Sequence, residues 1–178
     1  NRDKSDNNAD GFAAKLTCGV GNVFKYCVAA YNADDGWDLF SKSGTGAIGE
    51  VEIYDSVCYA NGYVIEDGKL VKTKGDGNGF KMGGTNLPGN HKLLNSISYD
   101  NAAKGIDSNS CPDVKVYSST SYNNEGYNVA LYTGNKSAVT DYAADGVISF
   151  RKGTDGKEQL TLQSQSSTAV YGPNNFYW

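Results

Sequence analysis

Three aspartates lie close together in the stretch NADDGWDLF, residues 32 to 40. Asp34 and Asp35 are adjacent and Asp38 follows three residues later, although Asp and Gly are both poor strand formers. Carboxylates this close repel each other or take up protons unless a cation neutralises them. Oxygen ligands without His or Cys favour Ca²⁺ over Zn²⁺ or copper, so the stretch is a candidate calcium site. Asp before Gly is also common in solvated turns, and the spacing alone is compatible with either interpretation.

The elements that would position these aspartates are predicted by an internal repeat. Five glycines that precede a short apolar block, at positions 11, 36, 79, 105 and 126, are 25, 43, 26 and 21 residues apart. Helical periodicity is missing, whereas β-branched residues, aromatic residues and turn formers alternate, which favours short strands. Such a repeat predicts an all-β fold, a parallel β-helix of about five to six coils stacked roughly 4.8 Å apart.

Residues at equivalent positions on successive coils form what we call a column. Two columns are predicted to be buried, and a third is predicted to be an asparagine ladder whose amides bond between coils. The first buried column is Phe24, Ile53, Leu93 and Val116, the second is Val28, Val57, Ile97 and Thr120, and the ladder is Asn32, Asn61, Asn101 and Asn124.

The residue after each repeated Gly is bulky and predicted to point inward, so the next residue should face solvent. The inward column reads Phe12, Trp37, Phe80, Ile106 and Tyr127, and the outward column reads Ala13, Asp38, Lys81, Asp107 and Asn128. Asp10 precedes its Gly as Asp35 does, which places Asp10 one coil away from Asp35. The predicted Ca²⁺ ligands are therefore Asp10, Asp34, Asp35 and Asp38.

Lys81 is the candidate catalytic base. It shares a column with Asp38 and follows the enlarged interval at residues 62–78, and long loops in compact domains are often functional. A lysine beside a bound cation has a lowered pKa, and its neutral amine can accept a proton. An exposed lysine on a strand is also an ordinary surface residue. Lys15 is a weaker candidate for contact with a substrate carboxylate, with plain surface charge as its alternative.

Other chemistries have less support. His91 is the only histidine, so a Ser-His-Asp triad is hard to build, and we interpret it as structural. Asp38 and Asp107 remain a possible glycosidase pair, although a lysine between them is unexpected. The four cysteines fit no metal spacing and are compatible with disulfides or with buried thiols. A net charge of -4 argues against nucleic acid, and no apolar run is long enough to predict a membrane span.

The combined motifs NADGFAAKL, NADDGWDLF, GNGFKMGG and GIDSN resemble polysaccharide lyase family 9. The resemblance implies a right-handed parallel β-helix that cleaves polygalacturonate by β-elimination with Ca²⁺, with aspartate ligands matching Asp10, Asp34, Asp35 and Asp38 and a lysine base matching Lys81. It also implies a secreted protein. Alternatives are a lyase acting on rhamnogalacturonan or another uronate polymer, and a non-catalytic glycan-binding β-helix.

Members of this family typically have further coils before the first of these motifs. We therefore expect residues 1–178 to be a single domain that forms the C-terminal part of a longer β-helix. A stack that began at the calcium coil would expose strand edges and apolar core. Additional N-terminal coils or another chain are expected to cover that end.

Overall fold

The computed structural model describes residues 1–134, 139–151 and 170–177. Their strands are short, as expected for coils that turn every few residues. In chain order they are β1 (Asn22–Lys25), β2 (Val28–Ala30), β3 (Trp37–Asp38), β4 (Val51–Tyr54), β5 (Val57–Tyr59), β6 (Tyr63–Glu66), β7 (Lys69–Lys72), β8 (Phe80–Lys81), β9 (Lys92–Leu94), β10 (Ile97–Tyr99), β11 (Ile106–Asp107), β12 (Lys115–Tyr117), β13 (Thr120–Tyr122), β14 (Val129–Ala130), β15 (Ala143–Asp145), β16 (Ile148–Phe150), β17 (Val170–Tyr171) and β18 (Phe176–Tyr177).

Three parallel sheets wrap around the core, with six described strands in each of the first two and four in the third. The first sheet has the order β1-β4-β9-β12-β15-β17, the second β2-β5-β10-β13-β16-β18, and the third β3-β8-β11-β14. The predicted parallel β-helix is confirmed. The domain assignment to residues 1–178 includes residues outside the described ranges and stays a prediction.

The enlarged interval is an antiparallel hairpin of β6 and β7, in which Tyr63 pairs with Lys72 and Glu66 with Lys69. It interrupts the coil between the second and third sheets, immediately before β8. Within the described residues, no helix has the length and apolar character needed to cross a bilayer. The four cysteines are free thiols, two of them buried.

The first predicted column is confirmed in its register. Phe24 pairs with Ile53, Ile53 with Leu93, and Leu93 with Val116. The last three are fully buried, and Phe24 packs against the same core.

The second column has the predicted register but the wrong burial. Val28 and Ile97 are 60% and 40% exposed. Because side chains alternate along a strand, the inward positions belong to the following residues. Those inward residues are small, and a Cβ on Gly79 would lie 2.3 Å from Ser98 Oγ and 2.6 Å from Cys58 Sγ. Close packing between sheets therefore requires small side chains here, which removes the hydrophobic signal from the buried column.

Aromatic rings stack along the axis beneath the third sheet. The ring centroids of Phe12 and Trp37 are 4.6 Å apart, and those of Trp37 and Phe80 are 4.8 Å apart. Ile106 continues this buried column. Each of these side chains anchors the inner side of a coil, which fixes the position of the next residue on the outer side.

The prediction for the last member of this column is wrong. Val129, not Tyr127, pairs with Ile106, so Ala130 replaces Asn128 in the outward column. Asn128 occupies the position of the repeated Gly, and its Oδ1 accepts a hydrogen bond from Asn124 Nδ2 at 3.0 Å. Asn128 therefore extends the asparagine ladder.

The asparagine ladder itself is confirmed. Its Nδ2 atoms donate to the Oδ1 atoms of the next coil at 2.7, 2.8 and 2.8 Å, through Asn32, Asn61, Asn101 and Asn124. All four side chains are buried, so these bonds satisfy amides that would otherwise lack partners.

Replacing Asn101 with Ala should destabilise the fold by about 2–4 kcal/mol, because the amides of both neighbouring coils lose a buried partner. Asn101 Oδ1 accepts from the backbone and side chain of Asn61, and its Nδ2 donates to Asn124. Urea unfolding measures the effect. Asn22→Ala, which removes one exposed bond to Gly19 O, is the control and should change stability by less than about 0.5 kcal/mol. Equal stability of the two variants would contradict the ladder's role.

Candidate active site

The third sheet carries the candidate chemistry on its outer side. Asp38 pairs in register with Lys81, and Lys81 with Asp107. Contrary to the prediction of an exposed face, these residues are only 4%, 8% and 1% exposed. The chain on either side of the sheet, including Asn7, Asn8 and residues 74–76 after the hairpin, forms the walls of a cleft of about 400 Å³.

Asp10, Asp34 and Asp35 form a buried acidic cluster in which one oxygen of each lies within 4.8 Å of the others. The first two coils approach closely: Asp35 N donates to Asp10 Oδ1 at 3.2 Å, and a Cβ on Gly11 would lie 2.6 Å from Gly36 O. The coil stacking predicted from the repeated Asp-Gly pairs therefore brings the carboxylates together. An EF-hand pattern would not have found them, since the ligand positions come from two coils.

Burial, together with the charge of Asp10, raises the pKa of Asp34 to about 6, although a backbone hydrogen bond from Asp76 acts in the opposite direction. Burial also raises the pKa of Asp35 to about 7, with Lys81 acting in the opposite direction. The ionised cluster is thus electrostatically costly, and a cation that bound these oxygens would relieve the cost. Three buried carboxylates without His or Cys fit a hard cation such as Ca²⁺.

Asp38 lies beside the acidic cluster but is not one of the three aspartates that form it. Its Oδ2 accepts a hydrogen bond from Lys15 Nζ at 2.6 Å, and its Oδ1 lies 3.9 Å from Lys81 Nζ. Phe40 N also donates to Asp38 Oδ1, which fixes the carboxylate. Burial raises the pKa of Asp38, whereas both lysines lower it. Its assignment as a ligand stays a prediction.

Lys81 lies over the acidic cluster. Its Nζ donates to Asp35 Oδ2 and to Asp76 Oδ2, both at 2.9 Å. Burial lowers the pKa of Lys81, but the charges of Asp35 and Asp38 outweigh burial and the pKa is raised. The pKa of Lys81 is raised in this way when no cation is bound to the carboxylates. The lowered pKa expected from the sequence requires a cation on those same oxygens.

Lys15 belongs to the same site. Its Nζ bridges Asp10 Oδ2 at 2.7 Å and Asp38 Oδ2 at 2.6 Å, and a quarter of its side chain is exposed. Lys15 therefore links the coil of Asp10 to the third sheet. Its role towards substrate stays a prediction.

Two contributors were missed from the sequence. Asp76 bonds to Lys81, and Asn78 donates from both its N and Nδ2 to Asp35 Oδ1, at 2.8 and 2.9 Å. Asp76 lies in the enlarged interval, which has no counterpart on other coils, so the repeat could not align it. The GDGN stretch, an Asp between glycines close to Lys81, was the available signal.

His91 is fully buried, and its Nδ1 accepts a hydrogen bond from Val51 N at 3.1 Å. Burial lowers the pKa of His91 to about 4, so the ring is neutral near pH 7. Asp107 lies on the far side of Lys81 from Asp38 and accepts a hydrogen bond from Lys104. These contacts agree with a structural His91 and do not favour a glycosidase pair.

Comparisons with known proteins agree with this architecture. Residues 1–141 match the family described as "Pel9A-like, right handed beta helix region". The chain is 50% identical over 150 residues to pectate lyase L of Thermoclostridium stercorarium, which covers 84% of this chain and 12% of that protein. The structure superimposes on the crystal structure of pectate lyase Pel9A with a TM-score of 0.71 at 31% identity, over 98% of this chain and 40% of that one.

A rhamnogalacturonan lyase gives the same TM-score of 0.71 at 25% identity, over 94% of this chain and 43% of that structure. The chain thus spans 12% of the curated relative's length and less than half of each solved structure. The family match covers most of the chain and includes every candidate site residue. The chain therefore belongs to the Pel9A-like right-handed β-helix family.

Proposed function

We propose that this chain supplies the catalytic centre of a calcium-dependent lyase that cleaves polygalacturonate by β-elimination. The observation that carries the proposal is the position of Lys81 Nζ, 2.9 Å from Asp35 at the edge of the buried acidic cluster and facing an open cleft. A base next to a cation site is the arrangement that abstraction of a proton beside a carboxylate requires. The sequence similarity to pectate lyase L supports the choice of substrate.

Asp10, Asp34 and Asp35 would hold the Ca²⁺ ion, with Asp38 beside them. Bound there, the ion would withdraw charge from a uronate carboxylate and acidify the proton on the adjacent C5. Asn78 and Lys81 hold the two oxygens of Asp35 in place.

Lys81 removes the C5 proton in this scheme. The electron pair of the broken C5–H bond forms the C4–C5 double bond, and the glycosidic oxygen leaves C4 and takes up a proton from solvent. Lys81 must be neutral to accept the proton, and neutralisation of Asp35 and Asp38 removes the largest effects that raise its pKa. The products are a new chain end and a 4,5-unsaturated uronide.

Product analysis on a panel of polysaccharides tests the substrate. Polygalacturonate should give 4,5-unsaturated products, detected by ultraviolet absorbance and mass, and neutral polysaccharides should give none. The resemblance to a rhamnogalacturonan lyase structure makes rhamnogalacturonan the second candidate. If only rhamnogalacturonan gave products, it would be the substrate in place of polygalacturonate. Binding without cleavage would indicate a glycan-binding module. Because such polymers are large and lie outside cells, we also propose that the protein acts as a secreted one.

Calcium affinity is expected to fall by more than about tenfold between about pH 8 and about pH 6. Ca²⁺ binds ionised carboxylates, and protons compete for Asp35, with its pKa of about 7, and for Asp34, with its pKa of about 6. Because both pKa values are raised in the folded protein, competition starts well above the usual range for Asp. Calorimetric titration with Ca²⁺ at several pH values measures the effect. A calcium affinity that does not change over this pH range would contradict the ligand assignment.

A further inference from the structure

The column that contains Asp10 and Asp35 continues on the next two coils, where its residues are no longer acidic. Backbone bonds set the register: the N atoms of the repeated glycines, Gly11, Gly36 and Gly79, donate to the carbonyl oxygens of Asp35, Asn78 and Lys104. Asp10, Asp35, Asn78 and Lys104 thus occupy equivalent positions on four successive coils. The position of a candidate calcium ligand is taken, two coils further on, by a lysine.

Lys104 is held in a defined position. Its Nζ donates to Asp107 Oδ2 at 2.8 Å and lies 5.3 Å from the ring centroid of Tyr132. Asp107 is 1% exposed, and its Oδ1 accepts a bond from Asn109 N at 2.9 Å, which orients the carboxylate. The Lys104 side chain is nevertheless 28% exposed. Its ammonium group can therefore offer further N–H donors to a ligand.

Lys104 and the acidic cluster lie on the same side of the molecule. Asp107, which holds Lys104, pairs in register with Lys81, and Lys81 contacts Asp35. Two coil spacings, roughly 10 Å, separate Asp35 from Lys104 along the axis. That distance is of the order of a disaccharide, and a polyuronate carries a carboxylate on every sugar.

We propose that Lys104 binds a second carboxylate of the uronate chain, beyond the sugar whose carboxylate faces the acidic cluster, and that Asp107 positions Lys104 for this contact. The inference rests on the proposed function, because it names a further subsite for the same polymer on the coil that follows Lys81. It places positive charge at both ends of the site, a cation held by aspartates at one end and a lysine at the other. Polymers with regularly spaced carboxylates satisfy both ends at once.

A purely structural pair makes a different prediction. If Lys104 only neutralised the buried Asp107, then removing both charges together would leave substrate binding unchanged. Lys104→Gln alone leaves a buried carboxylate without its cation and could lose stability for that reason. The double variant Lys104→Gln/Asp107→Asn removes the charges as a pair, so it separates the two roles.

The test measures kcat and KM on polygalacturonate for wild type, the double variant and a control. We expect the double variant to unfold near the wild-type temperature and to raise KM about tenfold, with kcat changed less than about twofold, because a charge-assisted bond to a non-reacting sugar is lost. Lys115→Gln/Asp141→Asn removes another Lys–Asp pair at the same distance of 2.8 Å, with Lys115 on β12 of the first sheet and a more exposed aspartate, and should leave KM unchanged. A folded double variant with wild-type KM would overturn the assignment of Lys104.

Retention in gels that contain polygalacturonate separates failure of this inference from failure of the proposed function. Retention that depends on Lys104, in a protein without lyase activity, would uphold the binding site and reject the lyase. Lyase activity with KM and retention indifferent to Lys104 would reject the subsite and keep the lyase. Absence of both activity and retention would reject both.

Discussion

Replacing Lys81 with Ala is expected to lower kcat on polygalacturonate by about 10²–10⁴-fold, because the C5 proton loses its acceptor. The acidic cluster does not need Lys81 as a ligand, so Ca²⁺ should still bind. Removal of the ammonium group, which competes electrostatically with the ion beside Asp35, should even strengthen calcium binding. Steady-state measurement of unsaturated product, with a parallel calcium titration, checks both parts.

Lys92→Ala is a matched control for this variant. Lys92 is also a strand lysine with two acidic partners, Glu50 at 2.7 Å and Glu52 at 3.5 Å, but it lies on β9 in the first sheet. Its removal should leave kcat within about twofold of wild type. Full activity in Lys81→Ala, or an equal loss in both variants, would show that Lys81 is not the base.

Replacing Asp35 with Asn is expected to weaken Ca²⁺ binding on the order of 100-fold, or about 3 kcal/mol. Asp35 is completely buried, contributes an oxygen to the acidic cluster and orients Lys81. Activity should fall with the loss of the ion, and excess Ca²⁺ should restore part of it. Calorimetric titration and calcium-dependent rates measure the two effects separately.

Asp107→Asn is the control, since Asp107 is an equally buried aspartate on the same outer side of the third sheet but lies outside the acidic cluster. Its calcium affinity should be that of wild type. Calcium binding that survives in Asp35→Asn, or that is lost equally in both variants, would place the ion elsewhere.

The repeat made the fold and the grouping of the aspartates predictable from the sequence. Residues at the same distance in sequence from the repeated Gly lie next to each other on successive coils, because parallel strands stack in register. Asp10 could therefore be placed beside Asp34 and Asp35 although it lies 24 and 25 residues away from them in the chain.

The same reasoning failed where a coil departs from the repeat. Asp76 lies in an inserted segment without an equivalent position, and that segment also buries Lys81, which was expected to be exposed. Asn128 stands where a Gly was expected, and its amide joins the asparagine ladder, so the column moved by two residues. Insertions and side-chain ladders depend on tertiary contacts that a linear alignment does not contain.

Chelation followed by calcium add-back, with polygalacturonate as substrate, tests the central claim most directly. After treatment with EDTA the protein should form no 4,5-unsaturated product, and added Ca²⁺ should restore the wild-type rate in the native chain but not in Lys81→Ala. Such a result would require both the cation and the lysine for one reaction. Unsaturated product formed at the full rate in EDTA, or restored by Ca²⁺ equally in Lys81→Ala, would contradict a calcium-assisted elimination at this site.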